Sequence, residues 1–229
     1  MSDLINFYKV LECPEYYNPN EDAPAHPFRL AIVGRSGAGK TLCLLNLIKE
    51  CRAFSRVYVF AAMHEEPLYE YLSEALNAVA PGVCVVTNDV SLIPGDDELG
   101  ALPAETQVLF VFDDVLTASK ATQARILDIF LRGRKLGPQG CSAVFISQSW
   151  YAMDKTVRKQ LTHLILTALG SKQDVSSMLR DCCPDMNPED LRRRFEGINA
   201  EGVTGVMTID LTKPPQDGGR VRRNFEPVG

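Results

Sequence analysis

The chain has 229 residues, 45% of them hydrophobic, and a formal charge of −5. That length and apolar content can bury the core of one α/β domain with modest additions, whereas two full domains would be cramped. The negative total excludes a protein that coats nucleic acid with its whole surface, and seven cysteines without a Cys-x-x-Cys pair favour neither a disulfide framework nor a zinc site, which points to a reducing compartment.

Residues 1–27 carry five acids and one lysine. Met1-Ser2-Asp3-Leu4-Ile5 lacks the basic start and long apolar run of a secretory leader, and no segment approaches the length of a membrane span. The expectation is a soluble intracellular protein. Phe28 to Val33 then reads as a short buried strand, and Gly34-Arg35-Ser36-Gly37-Ala38-Gly39-Lys40-Thr41 follows it directly in the pattern G-x-x-x-x-G-K-[ST]. In that pattern glycines let backbone amides turn around a triphosphate, the lysine reaches the β and γ phosphates, and the threonine hydroxyl binds Mg²⁺. Thr41 to Ile48 continues as a leucine-rich helix.

Arg56 to Ala62 is the second strand, followed by a helix from Pro67 to Val79 with Leu68, Leu72, Ala75, Leu76 and Val79 on one stripe. Val83 to Val86 suits a short edge strand. Asn88 to Gln107, with Pro94-Gly95 and Gly100, reads as a surface excursion. Val108-Leu109-Phe110-Val111-Phe112-Asp113-Asp114 is what a buried parallel strand looks like when it delivers two carboxylates to the carboxyl edge of a sheet. Asp113 is placed to hold Mg²⁺ and Asp114 to take a proton from an attacking water, provided the strand ends at Asp113. Read by themselves, the two acids also suit the cap of a helix.

A helix from Ser119 to Leu136, with Ile126, Leu127, Phe130 and Leu131 inward, ends in Arg132-Gly133-Arg134-Lys135. Cys141 to Ser149 is a fourth core strand with Gln148 at its tip, where a glutamine senses a γ phosphate or orients water; a strand end turning polar at the surface reads the same way. His163 to Leu169 is the fifth, its histidine structural. Val175, Met178, Leu179 and Cys182 share a helical face that stops at Pro184. Asn187-Pro188-Glu189-Asp190 starts another helix with a cap, a first-turn proline and early acids. Gly205 to Leu211 is a last strand, and Lys213-Pro214-Pro215 opens a flexible tail. Basic residues gather at Arg132, Arg134 and Lys135, at Arg192 to Arg194, and at Arg220, Arg222 and Arg223. Such local faces suit a ring gripping a polyanion in its channel, and for the triplet 192–194 equally well a solvated helix surface.

The acid pair, the Arg-Gly-Arg helix end and the strand tipped Ser147-Gln148-Ser149 together resemble the FtsK/HerA superfamily of DNA-pumping ATPases. The likeness is greatest to the poxvirus-type genome-packaging ATPases of large DNA viruses and virophages. It runs from about Pro27 to Leu169, includes Thr156-Val157-Arg158, and extends to the closing Arg222-Arg223-Asn224-Phe225. Lys135 stands where that family often has histidine, and Asp114 where many members have glutamate.

The resemblance implies an α/β P-loop domain of the additional-strand type (ASCE, RecA-like) over residues 28–212. It would have helices on both faces of a mostly parallel sheet, an N-terminal extension over 1–27 and a basic tail over 213–229. Numbering the five core strands as above, the implied order is 5-1-4-3-2. It also implies ATP and Mg²⁺ as cofactors, double-stranded DNA as partner, self-assembly into a ring (usually a hexamer), a capsid protein as docking partner, no membrane, and a place in the host cytoplasm, viral factory or virion. One subunit of such a ring supplies an arginine to its neighbour's nucleotide; Arg134 is the first candidate, with Arg132 and Arg158 as substitutes. Lys40, Asp114, Gln148 and Arg134 form the catalytic set. A small-molecule kinase and a nucleotide-gated scaffold without significant turnover stay open beside the motor.

Overall fold

The computed structural model describes residues 23–51, 54–115, 119–169, 172–200, 202 and 205–227. Its strands are β1 (Arg29–Val33), β2 (Arg56–Ala61), β3 (Cys84–Thr87), β4 (Val108–Asp113), β5 (Cys141–Ser147), β6 (His163–Leu166), β7 (Met207–Asp210), β8 (Val221–Arg223) and β9 (Glu226–Pro227). The helices are α1 (Lys40–Cys51), α2 (Pro67–Val79), α3 (Asp96–Gly100), α4 (Lys120–Arg132), α5 (Lys155–Gln160), α6 (Lys172–Cys182) and α7 (Pro188–Asn199). Among the described residues the strands form one nine-stranded sheet in the order β3-β2-β4-β5-β1-β6-β7-β8-β9. β3 through β6 along that order pair in parallel, and β6 to β9 pair antiparallel. The expected core order is therefore present as β6-β1-β5-β4-β2, with β3 added at one edge and three short strands at the other.

The apolar runs explain the layering. Alternate residues of a strand face opposite sides, so Leu109 and Val111 of β4 pack with Leu44, Leu47 and Tyr69 of α1 and α2. Phe110 and Phe112 pack on the other face with Ile126, Phe130, Met178 and Leu191 of α4, α6 and α7. β5 lies at the centre and is buried along its whole length, as a parallel strand covered on both faces must be. A row of aromatic rings braces the α4 face: Phe60 stacks on Phe112 at 5.7 Å, and Phe130 meets Phe145 edge-on at 6.3 Å.

Several expectations change in detail. The stretch 88–107 is no simple surface excursion, because its helix α3 drives Leu99 fully into the core. Periodicity located the right helices but set two of their faces wrongly. Tyr69 rather than Val79 belongs to the buried stripe of α2, and Ile129 replaces Leu131 in α4, where Leu131 is exposed. In both cases the helix sits rotated to follow the sheet's surface, which a one-dimensional pattern does not encode. Cys183 is fully buried and Cys182 only partly so, the reverse of the emphasis on Cys182. The α7 arginines are exposed, with Arg193 bonded to Asp190 at 3.2 Å, the solvated reading of that triplet. Asn187 caps α7 as expected, accepting from the Glu189 amide at 2.9 Å.

The segment after Thr212 is not a free tail. It returns as β8 and β9 against β7, and Arg220 and Arg222 are buried. Asn224 turns the chain in the left-handed region at φ 55°, donating its amide to the Val206 carbonyl at 2.7 Å while its side chain accepts from the Val206 amide at 3.1 Å. These bonds offset the strain of that conformation. No described helix is long and apolar enough to cross a membrane.

Candidate nucleotide-binding site

β1 ends at Val33, and the loop that follows is pinned between the strands on either side of it. Gly34 donates its amide to Ser147 of β5 at 3.2 Å, and Arg35 donates to the Ala168 carbonyl beyond β6 at 2.9 Å. Gly34 is required by close approach, since a Cβ there would lie 1.7 Å from Thr167 Oγ1. Gly39 lies at φ 79°, a region that side chains disfavour, and this turn aims the loop into α1. The first amides of α1 have no acceptor within their own helix, so its positive end opens toward the cleft. Lys40 Nζ donates to the Arg35 carbonyl across the loop at 3.1 Å.

The acids arrive from the next strand but one. Asp113 is the last residue of β4 and has the same parity as Leu109 and Val111, so it faces the α1 and α2 side. There its Oδ2 accepts a hydrogen bond from the Tyr69 hydroxyl at 2.6 Å. Its carboxyl is raised to about 6, chiefly by burial, with Asp114 and Glu66 adding to the shift against the opposing Tyr69 bond and Lys40 charge. Tyr69 is itself wholly buried; burial and the adjacent Asp113 push its phenol up, so it stays a proton donor. Asp114 breaks the strand at φ 50°, which meets the condition that the strand stop at Asp113. Its Oδ2 accepts from Gln148 Nε2 at 2.9 Å.

These residues line one cleft of about 1200 Å³, with Gly37, Lys40 and Thr41 on the loop side and Asp113, Asp114 and Gln148 opposite. The expected phosphate, metal and water-activating groups are thus brought together. Sequence reasoning missed Tyr69 and Glu66. Thr41 Oγ1 donates to Glu66 Oε2 at 3.2 Å. The signal that could have found Glu66 is its place just past the carboxyl end of β2, where open α/β sheets bind ligands. Tyr69 gave no such signal.

The donors around Thr41 and Asp113 are all oxygens, the chemistry Mg²⁺ prefers. Among the described residues no group of three or more His, Cys, Asp or Glu could hold a metal unaided.

None of the three arginine candidates lines this cleft. Arg132 is tied to Asp128 and, at 3.0 Å, to Asp96. Arg158 binds Asp181 at 2.6 Å and lies over the rings of Trp150 and Tyr151 at 5.4 and 5.2 Å. Arg134 is exposed in the turn after α4, near Arg29, whose pKa is lowered by burial and by the Arg134 charge. Its own side chain has no ion-pair partner among the described residues.

A phosphate loop after β1, an acid pair ending β4 and the core order β6-β1-β5-β4-β2 define a P-loop NTPase fold of the additional-strand type. The model of the family described as Poxvirus A32 protein matches residues 19–81, which hold the loop, α1, β2 and α2. This agrees with the likeness read from the motifs. Among solved structures the chain is similar to the genome packaging NTPase B204 from Sulfolobus turreted icosahedral virus 2. The sulfate complex is 14% identical with a TM-score of 0.53, over 93% of this chain and 98% of that one. The AMP complex is 14% identical with a TM-score of 0.52, over 87% and 98%. The AMPPCP complex is 12% identical with a TM-score of 0.50, over 90% and 100%. Identity this low shows a shared fold. No curated protein matches the sequence.

Proposed function

We propose that this chain is an ATPase that pumps double-stranded DNA into a viral capsid. One observation carries the reading: the phosphate loop, Asp113 and the Asp114–Gln148 pair open on a single cleft. The A32 match and the B204 fold support it. Backbone amides from Ser36 to Thr41 and the Lys40 ammonium hold the triphosphate. Thr41 and Asp113 would hold Mg²⁺, which would supply positive charge beside the phosphate oxygens. Gln148 fixes one oxygen of Asp114 and leaves the other to take the proton of the attacking water. The water oxygen bonds to the γ phosphorus as the bond to the bridging oxygen breaks, and ADP leaves with that electron pair.

Arg134 is the arginine that acts across a ring interface. Its lack of a carboxylate partner favours it over Arg132 and Arg158, which are already engaged. In a ring the DNA would be gripped through its backbone phosphates, so binding is sequence-tolerant and falls steeply with salt. The capsid is the remaining partner, and the host cytoplasm or viral factory the place of action. ATP turnover measured with and without long duplex DNA tests the proposal. DNA stimulation supports the pump, dependence on a small-molecule acceptor replaces it with a kinase, and neither leaves a nucleotide-gated scaffold. Arg134→Ala subunits mixed with wild type should depress turnover more than in proportion to their share; strictly proportional loss ends the trans assignment.

A further inference from the structure

Two side chains at the start of α2, Glu66 just before it and Tyr69 in its first turn, touch residues of the cleft, and no nucleotide-binding motif of this chain includes either. Glu66 occupies the position before α2, with Pro67 at the first helical residue. The Glu66 side chain makes no cap bond to its own helix and accepts from Thr41 Oγ1 at 3.2 Å. One turn further on, Tyr69 donates to Asp113 Oδ2 at 2.6 Å. The first turn of α2 thus contacts both side chains to which the metal was assigned, each through a different group.

We infer that the first turn of α2 is a built part of the Mg²⁺ site, with Glu66 and Tyr69 as positioning residues for Thr41 and Asp113. The inference rests on the reading of those two as the metal-holding pair. The chemistry follows from the donor inventory. A threonine hydroxyl has one proton and two lone pairs, so when the proton goes to Glu66 the lone pairs are left for a cation. A carboxylate has two oxygens, and a phenol holding Oδ2 leaves Oδ1 as the oxygen for the metal or its water. Tyr69 suits this task because it is wholly buried, so its hydroxyl is locked by packing rather than by solvent. Outer partners of this kind set the orientation of the groups that touch the metal, and their loss commonly costs about 10- to 100-fold in metal affinity.

Mn²⁺, which reports its free concentration by electron paramagnetic resonance, is the probe, titrated into full-length protein saturated with AMPPCP. Thr41→Ala and Asp113→Asn test the underlying reading and should remove protein-dependent Mn²⁺ binding. Tyr69→Phe keeps the buried ring, and Glu66→Ala alters a partly exposed side chain. Both should weaken Mn²⁺ about 10- to 100-fold and leave metal-free nucleotide affinity unchanged, which also reports that the protein is folded. Glu66→Gln retains a neutral oxygen able to accept from Thr41, so it should recover most of the loss seen in Glu66→Ala. Wild-type or tighter Mn²⁺ binding in Tyr69→Phe and Glu66→Ala, with Asp113→Asn still defective, overturns the α2 assignment and spares the metal pair. Recovery absent in Glu66→Gln makes Glu66 a charged ligand rather than a positioning residue. Unchanged binding in Thr41→Ala and Asp113→Asn overturns both levels together.

Discussion

Asp113 and Asp210 each end a strand of the same sheet, yet their surroundings push them in opposite directions. Burial works against ionisation of both. At Asp210 it is overcome: His163 Nε2 lies 3.5 Å away, Arg222 3.8 Å, and the Thr212 hydroxyl and amide donate at 2.6 and 3.0 Å. Its carboxyl is held well below the usual range. At Asp113 the Tyr69 bond and the Lys40 charge do not overcome burial and the neighbouring acids, and the carboxyl rises to about 6. An acid satisfied on every side fastens the β6–β7–β8 edge. An acid left short of positive charge inside a cleft is a place for a cation to enter.

The largest expected effect lies next to Asp113, at its neighbour in the chain. Asp114→Asn should lower ATP turnover by about 10²- to 10⁴-fold and leave nucleotide affinity intact, as read from steady-state hydrolysis beside a fluorescent-nucleotide titration. Full turnover in that variant moves the base to another residue.

Next comes Asp210→Asn, which removes the carboxylate that the buried His163 and Arg222 face and should cost about 2–4 kcal/mol of unfolding free energy, measured by denaturant titration. Because the folded pKa of Asp210 is depressed, its contribution is present above the unfolded value of about 4 and is lost as pH falls through the folded one. The gap between variant and wild type should therefore be level from pH 7 to about 4 and close only below that.

The smallest effect has the opposite sign. Asp113→Asn in magnesium-free buffer should raise stability by about 1–2 kcal/mol at pH 7, because a neutral amide replaces a carboxylate whose ionised form is disfavoured by burial. Here the folded pKa exceeds the unfolded one, so wild type is at its best below pH about 4 and loses ground as pH rises to about 6. The advantage of the variant should appear across that window. A lower melting temperature at pH 7 would show that Asp113 is as well satisfied as Asp210, and the comparison would fail.

Much of the site was legible because its parts are contiguous. Gly34 to Thr41 is one turn of chain, and the run ending in Asp113 carries its own strand signal. The Asp114–Gln148 bond could be anticipated only as a neighbourhood, since it depends on β5 lying beside β4 and on the left-handed turn at Asp114. Glu66 and Tyr69 were invisible for a different reason. Their roles are set by how α2 rotates onto the sheet, the same rotation that buries Tyr69 and exposes Val79. The segment after Thr212 was misread because prolines and exposed-looking arginines describe a tail well until Asp185 and Asp210 are found waiting for Arg220 and Arg222.

By itself the amino-acid order determined the alternation of strands and helices, the phosphate loop and the acids at a strand's end, because each rests on residues adjacent in the chain and on local sterics. The tertiary structure alone decided which carboxylates are neutralised, which of the three candidate arginines lacks a carboxylate partner and what surrounds Thr41 and Asp113. Those outcomes depend on distances between groups far apart in the chain, 25 residues for Thr41–Glu66 and 44 for Tyr69–Asp113, and only the packed sheet sets such distances.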